Sequence, residues 1–217
     1  MTLFETHIDA RQRLLHAAGQ VFAENGYEKS TVREICERAG TNVASVNYYF
    51  QDKGELYRAV FDLAHERMQE QMDGTGEGAE SRPAEERLRL FIHGHVRGVL
   101  GIAGPPAWFS TLVTREMIEP THMQREIFAR EIKPRSDMVV GIVRELLGPK
   151  ASDEQVRHCA LSVVGQTVFH KLAQPIISIL HPDQGYTEAE VNRLAEHIAG
   201  FSLAGIMAER QRLEDNS

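Results

Sequence analysis

Residues 31–56 of the chain read TVREICERAGTNVASVNYYFQDKGEL, and this segment carries the signals of two short helices. Thr31 and Glu34 have the spacing of a capping box, in which a hydroxyl and a carboxylate satisfy free amides at the start of a helix. Gly40 is expected to end that helix after about two turns. A second short helix follows at 43–50. Two short helices joined by a glycine turn are the layout of a helix-turn-helix, whose second helix enters the major groove of DNA.

The second short helix is predicted to have an inward and an outward face. Val46, Tyr49 and Phe50 have the spacing of the inward face. The other side chains of the turn and helix are predicted to face outward, namely Thr41, Asn42, Val43, Ala44, Ser45, Asn47 and Tyr48. Asparagine pairs with adenine, serine and threonine bond to several base edges, and small apolar side chains contact the thymine methyl group. This face is therefore predicted to read bases, and Arg33 in the preceding helix is placed to reach a guanine.

Donors at the flanks of this face are expected to hold the DNA backbone, because phosphates accept hydrogen bonds from side chains and from helix N-termini. Thr31, Lys53 and the outer hydroxyl of Tyr48 or Tyr49 are placed for this role. The amides that open the next helix, which is capped by Asp52, are a further candidate.

The length and the charge of the chain limit the classes of protein to which it can belong. A chain of 217 residues with 42% apolar and 25% charged residues has the composition of a globular protein of one or two domains. The net charge of −7 argues against a protein that coats nucleic acid without specificity, because such binding is driven by neutralising phosphates. A focused DNA site is compatible with this charge.

The chain shows no signal for a membrane or for export. No apolar run approaches the ~18 residues of a membrane span, and residues 1–13 lack the apolar core of a signal peptide. The expectation is a cytoplasmic protein without a membrane partner. Cys36 and Cys159 lie far apart within apolar helical patterns, which favours packed, reduced thiols over a disulfide or a metal site.

Helical spacing recurs from end to end without a convincing strand or hairpin pattern, so the predicted fold is all-α. Asn25-Gly26 is the expected stop of the first helix. Helices are expected at about 9–24, 32–39, 43–50, 53–72, 83–100, 106–119, 122–147 with a kink at Pro134, 153–180 with an interruption near Pro175, and 187–213. The glycine-containing segment 73–82 is predicted to be a flexible connection.

Two helices of the body are predicted to form a dimer interface. The helix that begins at Asp153 has apolar residues on nearly every side, which indicates burial by more than one neighbour. The last helix combines apolar residues with small ones such as Gly200 and Gly205, which allow close approach of another helix. Helices near 153–180 and 187–213 are therefore expected to form a four-helix interface in a homodimer. An internal core is the alternative interpretation.

An effector cavity in the body is a further expectation. Its candidate lining residues are Phe91, His95, Trp108, Phe109, Leu112, Glu116, Phe128 and Phe169, although a plain core role is the alternative for most of them. No metal is expected, because His93 and His95 are two residues apart and do not face each other on a helix. No cofactor is implied, and no catalytic motif occurs, so an enzyme is not expected.

The head resembles a known family. Residues 31–40 and 46–56 look like the DNA-binding signature of the tetracycline-repressor (TetR) family, and the resemblance spans about residues 10 to 60. It implies that the residues matching Arg33, Val43, Ala44, Ser45 and Asn47 face bases. It also implies that those matching Thr31, Tyr49 and Lys53 hold phosphates. The family usually has an aromatic residue where Asn47 stands, so an altered base preference is expected here.

The body resembles the CecR-like (YbiH-like) branch of the same family through the segments 115–121 and 161–166. The resemblance implies a helical sensing and dimerisation domain. Together these patterns predict a helix-turn-helix head at 1–60, joined by a long fourth helix to an effector-binding and dimerisation domain at 61–217.

The predicted function is an effector-responsive homodimeric regulator, most often a repressor in this family, on a near-palindromic double-stranded DNA operator. The alternative is a helical small-molecule-binding or interaction protein whose head has lost DNA binding. The acidic net charge and Asn47 motivate that alternative.

Overall fold

The computed structural model describes residues 3–73, 81–102 and 106–215, and within these ranges the chain forms eleven helices and no strand. The helices are α1 (Leu3–Lys29), α2 (Val32–Ala39), α3 (Val43–Phe50), α4 (Lys53–Asp73), α5 (Ala84–Val99), α6 (Ala107–Ile118), α7 (Gln124–Glu131), α8 (Lys133–Leu147), α9 (Asp153–Leu172), α10 (Gln174–Leu180) and α11 (Glu188–Asp215). The predicted all-α class is confirmed. Of the predicted connection 73–82, residues 74–80 lie outside the described residues.

The helix ends follow the signals in the sequence. Gly26 has a φ of 78° and interrupts α1, and the chain then makes one further helical turn to Lys29. The predicted kink at Pro134 is a break between α7 and α8, with the proline in the first turn of α8. Pro175 occupies the same position in α10. Both prolines begin a helix because the first turn needs no amide donor from them.

The chain forms two compact units, and neither is continuous in sequence. The first unit is Met1–Gln71 with Pro105–Glu131, and the second is Met72–Gly104 with Ile132–Ser217. The sequence predicts a single division, between residues 60 and 61. The two divisions differ because α6, α7 and the segment between them contribute apolar side chains to the core that surrounds the helix-turn-helix. These side chains are Phe109, Leu112, Met123 and Ile127.

A close contact between α1 and α6 holds the first unit together. Gly19 of α1 faces the indole of Trp108, so closely that a Cβ atom on residue 19 would lie 2.5 Å from the ring. Trp108 and Phe109 pack against the same core as Phe22 and Phe61. Glycine at position 19 thus allows an aromatic side chain of α6 to lie directly on the backbone of α1.

Gly19→Ala is expected to lower the free energy of unfolding of the first unit by ~1–3 kcal/mol, because the new methyl group overlaps the Trp108 ring. Helix propensity alone would predict a gain of about 1 kcal/mol. Gly94→Ala in α5 is the matched control, since a Cβ atom there meets nothing within 4 Å. Urea unfolding followed by circular dichroism measures both. A stabilised Gly19→Ala variant would contradict the contact, and Trp108→Leu should rescue the loss.

The second unit is a bundle of α5, α8, α9 and α11 with the short α10. Its core is apolar and includes Leu88, Ile92, Val143 and Val163. Polar pairs align α5 antiparallel to α11: Arg89 and His93 both bond to Glu196, and Arg97 bonds to Asn192 and Glu188 at 2.8 Å. At the start of α9, Ser152 and Gln155 form a complete capping box.

Candidate nucleic-acid interface

Backbone geometry sets the angle between α2 and α3. Gly40, which follows α2, has φ of 64° and ψ of 40°, in the left-handed region. The amide of Thr41 donates to the carbonyl of Cys36 at 2.9 Å, and the amide of Gly40 donates to the carbonyl of Glu37 at 3.3 Å. These two bonds form a Schellman motif, which ends a helix sharply and turns the chain away from its axis.

Only one of the two hydrogen bonds of the predicted capping box of α2 forms. The Thr31 hydroxyl accepts a hydrogen bond from the Glu34 amide at 3.2 Å, as expected. The Glu34 carboxylate binds the side-chain amide of Asn25 at 2.9 Å instead of the cap backbone. It therefore ties the end of α1 to α2, a contact that the spacing of Thr31 and Glu34 did not indicate.

The inward face of α3 anchors it to the first unit. Val46 and Phe50 are buried and Tyr49 is half-buried against the same core. The Arg11 guanidinium of α1 lies 5.4 Å from the centroid of the Phe50 ring. The predicted inward positions Val46 and Phe50 are confirmed, and they fix which face α3 turns outward.

The chain leaves α3 through a strained residue. Gln51 has φ of 69° and ψ of −54°, and the amide of Asp52 donates to the carbonyl of Phe50 at 2.8 Å, which makes a γ-turn. Among the described residues Gln51 is the only one other than glycine with a positive φ. Its neighbours hold it, because Phe50 is buried and Asp52 caps α4 by accepting from the Glu55 amide at 2.9 Å. The γ-turn thereby sets where α4 starts relative to α3.

The outward face of α3 is exposed and carries no charged side chain. Val43, Ala44, Asn47 and Tyr48 are exposed. The Tyr48 ring meets the Tyr49 ring edge-on, with centroids 4.9 Å apart. The structure thus brings four of the predicted base-facing residues together on one accessible surface, which we call the reading face.

Three other predicted base-facing residues have structural contacts. Asn42 Oδ1 accepts from the Ser45 amide at 3.0 Å and from the Ser45 hydroxyl at 3.2 Å, which caps α3. The hydroxyl oxygen of Thr41 is buried, contrary to the prediction that it faces outward. Burial raises the pKa of the Cys36 thiol, and the neighbouring Thr41 side chain partly offsets this effect. The Schellman motif turns Thr41 toward Cys36 and away from the reading face.

Arg33 lies on the exposed side of α2. Its Nε donates to Glu37 Oε1 at 2.9 Å, one turn further along the helix, and both side chains are largely exposed. Exposed pairs of this kind contribute only ~0.3–0.5 kcal/mol. Arg33 can therefore exchange this partner for another acceptor at little cost.

The predicted phosphate-binding residues Thr31 and Lys53 lie beside the start of α2. Lys53 Nζ donates to the carbonyl of Ser30 at 3.1 Å and lies 4.3 Å from the centroid of the Tyr27 ring. The Lys53 ammonium keeps two further protons, and the Thr31 hydroxyl keeps its own. The free amides at the N-terminus of α2 add a positive partial charge at the same place. This combination suits an anion.

The predicted effector residues are divided between the two units. The first unit contains Trp108, Phe109, Leu112, Glu116 and Phe128, and the second contains Phe91, His95 and Phe169. Phe109 and Leu112 are buried in the core of the first unit, whereas Phe169 is 63% exposed. In the second unit a groove of about 410 Å³ lies between α9 and α11, and a smaller cavity of about 220 Å³ lies at 184–194. Neither is lined by any of the eight residues.

Glu116 has a structural partner that the sequence did not indicate. The carboxylate is 1% exposed, and its Oε1 accepts from the Tyr57 hydroxyl of α4 at 2.7 Å. Its Oε2 accepts from the Thr121 amide at 3.1 Å. Burial and then this hydrogen bond raise the pKa of Tyr57 well above its ordinary value. The Glu116 carboxylate thus forms a buried bond between α6 and α4.

Arg115 supplies the second connection that sequence reasoning missed. Its Nε donates to the carbonyl of Ala23 at 3.3 Å and its Nη2 to that of Glu24 at 3.0 Å. These carbonyls lie next to the break in α1 at Gly26, and carbonyls in the last turn before a helix end lack a partner within the helix. A side chain of α6 therefore caps the helix that leads into the helix-turn-helix.

The buried ring of His95 predicts a pH-dependent stability. Burial, with a smaller contribution from Arg135, lowers the pKa of His95 to about 4, against an ordinary value of 6.5. Between these two pH values the unfolded chain binds more protons than the folded one. The contribution of His95 is thus fully present above pH ~6.5 and falls by up to ~3 kcal/mol as the pH is lowered to ~4.

Urea unfolding of the wild type and of His95→Phe at pH 7.5 and pH 5 measures this effect. The variant should lose less stability on acidification than the wild type. Equal losses would contradict the placement of the His95 ring. His93→Phe, which replaces a partly exposed imidazole on the same helix, is the control.

The described residues contain no group of three or more histidine, cysteine, aspartate or glutamate side chains that could hold a metal ion. None of the described helices combines the length with the apolar composition of a membrane span. Cys36 is buried and Cys159 is half-buried, and both are free thiols.

Two short helices joined by a Schellman turn, with an anchored inward face and an accessible reading face, define a helix-turn-helix protein of the DNA-binding class. Residues 14–60 match the family model of the bacterial regulatory proteins of the tetR family. Residues 84–206 match the model of the C-terminal domain of the HTH-type transcriptional dual regulator CecR. The chain belongs to the tetR family, in the group defined by the CecR C-terminal domain, and is a transcription regulator.

Individual relatives agree with this assignment. The HTH-type transcriptional dual regulator CecR of Shigella flexneri is 26% identical over 175 residues, which are 77% of this chain and 78% of that protein. The HTH-type transcriptional repressor AcnR of Corynebacterium glutamicum is 35% identical over 68 residues, 31% of this chain and 36% of that protein. These relatives are regulators of transcription.

Solved structures share the fold. FadR, a transcriptional regulator from Bacillus subtilis solved with stearoyl-CoA, matches with a TM-score of 0.61 at 21% identity, over 89% of this chain and 98% of that chain. HlyIIR, a hemolysin II transcriptional regulator, matches with a TM-score of 0.60 at 22% identity, over 88% of this chain and 97% of that chain.

Proposed function

We propose that the protein is a homodimeric repressor that binds a near-palindromic operator in the cytoplasm and releases it when a small molecule occupies the second unit. The observation that carries the proposal is the exposed, uncharged reading face of α3. Each protomer would read one half-site, and the two half-sites would lie about one helical turn of DNA apart, or a multiple of it.

The reading face suits the edges of bases. Asn47 offers a donor and an acceptor that match adenine, and Val43 and Ala44 offer apolar contact to a thymine methyl group. Arg33 would give up Glu37 and bind a guanine. Asn42 and Ser45 bond to each other at 3.2 Å, so their part is to hold the start of α3 in the groove rather than to read bases directly.

Thr31 and Lys53 would bind one phosphate together. Both flank the N-terminus of α2, where free amides add to the attraction. The bond from Lys53 to the Ser30 carbonyl holds the ammonium in place before DNA arrives. The half-buried Tyr49 lies beside the exposed Tyr48, and either hydroxyl would reach an adjacent phosphate.

Release of DNA requires that the effector favour one conformation of the protein over another. The segment α6–α7 is joined by the chain to α5 at one end and to α8 at the other, and both of those helices belong to the second unit. Within the first unit, α6 contacts α1 through Arg115 and Trp108 and contacts α4 through Glu116. A shift of α5 or α8 would therefore move α6, and with it the end of α1 next to the helix-turn-helix.

The dimer interface is proposed on α9 and α11. Gln166 of α9 donates to Ser202 of α11 at 3.1 Å, so the two helices present one continuous surface. Leu161, Phe169 and Phe201 on this surface are all exposed, which is unusual for side chains of this size. A second copy that covers the same surface by two-fold symmetry would bury them.

Binding to the DNA upstream of the protein's own gene tests the proposal. Fluorescence anisotropy at physiological salt should show a preference of ~10³-fold or more over random duplex. Equal binding to both would reject the operator-binding function and favour a protein whose head has lost DNA binding. Selection from random duplexes then gives the half-site spacing.

Asn47→Ala and Lys53→Ala should have different effects on DNA binding. Asn47→Ala should change the preference at one base pair by ~1–3 kcal/mol, because it removes a base contact. Lys53→Ala should weaken binding to all duplexes alike and lower the salt slope by ~1, because it removes a phosphate contact. Anisotropy titrations against single-base-pair variants at several salt concentrations measure both. Equal, sequence-independent losses would contradict the roles of these residues.

A further inference from the structure

Tyr27 and Ser30, near the end of α1, place two uncharged groups around the Lys53 ammonium. Lys53 Nζ donates to the carbonyl of Ser30 at 3.1 Å and lies 4.3 Å from the centroid of the Tyr27 ring. An ammonium at this distance is attracted by the negative face of an aromatic ring. The carbonyl and the ring together define one position for the end of a flexible four-carbon side chain.

The segment that carries both groups is itself held in place. It begins at Gly26, whose φ of 78° lets the chain make a separate turn after the main part of α1. The Ser30 side chain is buried, and its hydroxyl lies 2.6 Å from the carbonyl oxygen of Gly26 and 3.2 Å from that of Val21. These bonds close the turn, so the Ser30 carbonyl that accepts from Lys53 has a fixed position.

Aromatic neighbours hold the Tyr27 ring. The Tyr57 ring meets it edge-on with centroids 5.0 Å apart, and the His122 ring does so at 5.9 Å. The Phe22 ring lies 6.0 Å away. The Tyr27 hydroxyl lies beside the first turn of α4, where a Cβ atom on Gly54 would be 3.6 Å from it. A ring with neighbours on several sides keeps its place when the lysine side chain moves, so it can act as a fixed support for the ammonium.

An uncharged support suits a lysine that has to bind a phosphate. A carboxylate in the place of the ring would neutralise the ammonium and repel the phosphate. The Tyr27 ring and the Ser30 carbonyl carry no net charge, so Lys53 keeps its full positive charge for the DNA. A lysine that is already ordered also loses less side-chain entropy when it binds.

We propose that Tyr27 is a positioning residue for DNA binding, whose ring holds the Lys53 ammonium at the phosphate site before DNA arrives. This inference rests on the proposed role of Lys53 as a phosphate ligand. It also connects the phosphate site to α6, because Tyr57, which contacts the Tyr27 ring, donates to Glu116 at 2.7 Å.

Tyr27→Leu and Tyr27→Phe form a matched pair of variants. Tyr27→Leu should weaken binding to the upstream duplex and to a random duplex alike, by about fivefold or more for a dimer, because Lys53 must then be ordered during binding. Tyr27→Phe keeps the ring and should bind within about twofold of wild type. Fluorescence anisotropy at low salt measures both affinities. Wild-type affinity in Tyr27→Leu would overturn the inference, as would an equal loss in Tyr27→Phe.

A double-variant cycle separates positioning from a general loss of structure in the head. In the Lys53→Ala background, Tyr27→Leu should change the affinity for either duplex by less than about twofold, because no ammonium is left to position. An equal loss in both backgrounds would show that the ring only supports the fold, and the inference would be wrong. Circular dichroism checks that each variant folds.

Proton NMR of the free protein tests the contact without DNA. The ring current of Tyr27 should shift the ε-methylene protons of Lys53 upfield of those of the other lysines, and the shift should persist in Tyr27→Phe. Lys53→Ala identifies the resonance. Unshifted protons would overturn the inference even if Tyr27→Leu failed to fold.

The same measurements separate this inference from the function on which it rests. If Lys53→Ala weakens DNA binding and Tyr27→Leu does not, only the positioning role is wrong. If Lys53→Ala binds both duplexes like wild type, the proposed phosphate role of Lys53 fails, and the positioning role fails with it even where the ring-current shift is present.

Discussion

Phe201→Arg is expected to convert the proposed dimer into monomers and to weaken binding to the proposed operator by about a hundredfold or more. Phe201 is 66% exposed on α11 and lines the groove between α9 and α11. In a two-fold symmetric interface each substitution occurs twice, so two buried and unpaired charges would replace two aromatic contacts. Monomers would then bind the two half-sites separately and lose the gain from linked binding.

Analytical ultracentrifugation and anisotropy with the operator measure the two effects. Ile118→Arg is the matched control, because Ile118 is 67% exposed on α6 and lies outside the proposed interface. It should remain dimeric. A dimeric Phe201→Arg protein would contradict the α9–α11 interface, and a monomeric Ile118→Arg protein would show that the effect is not specific to that surface.

Glu116→Leu is expected to lower the free energy of unfolding of the first unit by ~3 kcal/mol. The substitution leaves the buried Tyr57 hydroxyl and the Thr121 amide without an acceptor, and each unsatisfied group costs ~1–3 kcal/mol. Tyr57→Phe should cost less, because it removes one donor and leaves the bond to Thr121 intact. The double variant should lose less free energy of unfolding than the two single variants lose together. In the double variant neither residue 57 nor residue 116 is left as a buried polar group without its partner.

Urea unfolding followed by the fluorescence of Trp108, the single tryptophan, reports on the first unit. Glu119→Leu is the control, because the Glu119 side chain is 69% exposed and pairs with Arg115 on the surface. Its removal should change stability by less than about 0.5–1 kcal/mol. If Glu116→Leu unfolded like wild type, the Tyr57–Glu116 bond would make no contribution to the free energy of unfolding.

A weaker effect of the effector on DNA binding in Tyr57→Phe would support the proposal that α4 and α6 transmit the conformational change.

The helix-turn-helix could be predicted because its signals are local. Thr31, Gly40 and the apolar spacing of Ile35 and Val46 act within one or two turns of chain, and α3 spans Val43–Phe50 as predicted. Thr41 could not be predicted, because the direction of its hydroxyl follows from the Schellman bonds rather than from helical spacing. The half-formed capping box at Glu34 has the same cause, since its partner Asn25 belongs to another helix.

The residues that line an effector site could be predicted least well from the sequence. An apolar stripe on α6 reads the same whether it lines a cavity or completes a core, and only the packing distinguishes the two. Phe109 and Leu112 are core residues of the first unit, and Phe169 is exposed. Among the described residues, both ring nitrogens of His95 are buried without a hydrogen-bond partner, and helical spacing does not indicate this.

By itself the amino-acid sequence determined the all-α class, the helix-turn-helix and the family, because caps, glycine stops and helical periodicity are properties of neighbouring residues. The tertiary structure alone decided that α6 and α7 belong with the head. Tyr57 and Glu116 are 59 positions apart and Gly19 and Trp108 are further apart still. No local pattern marks such pairs, since they form only when distant helices share one core.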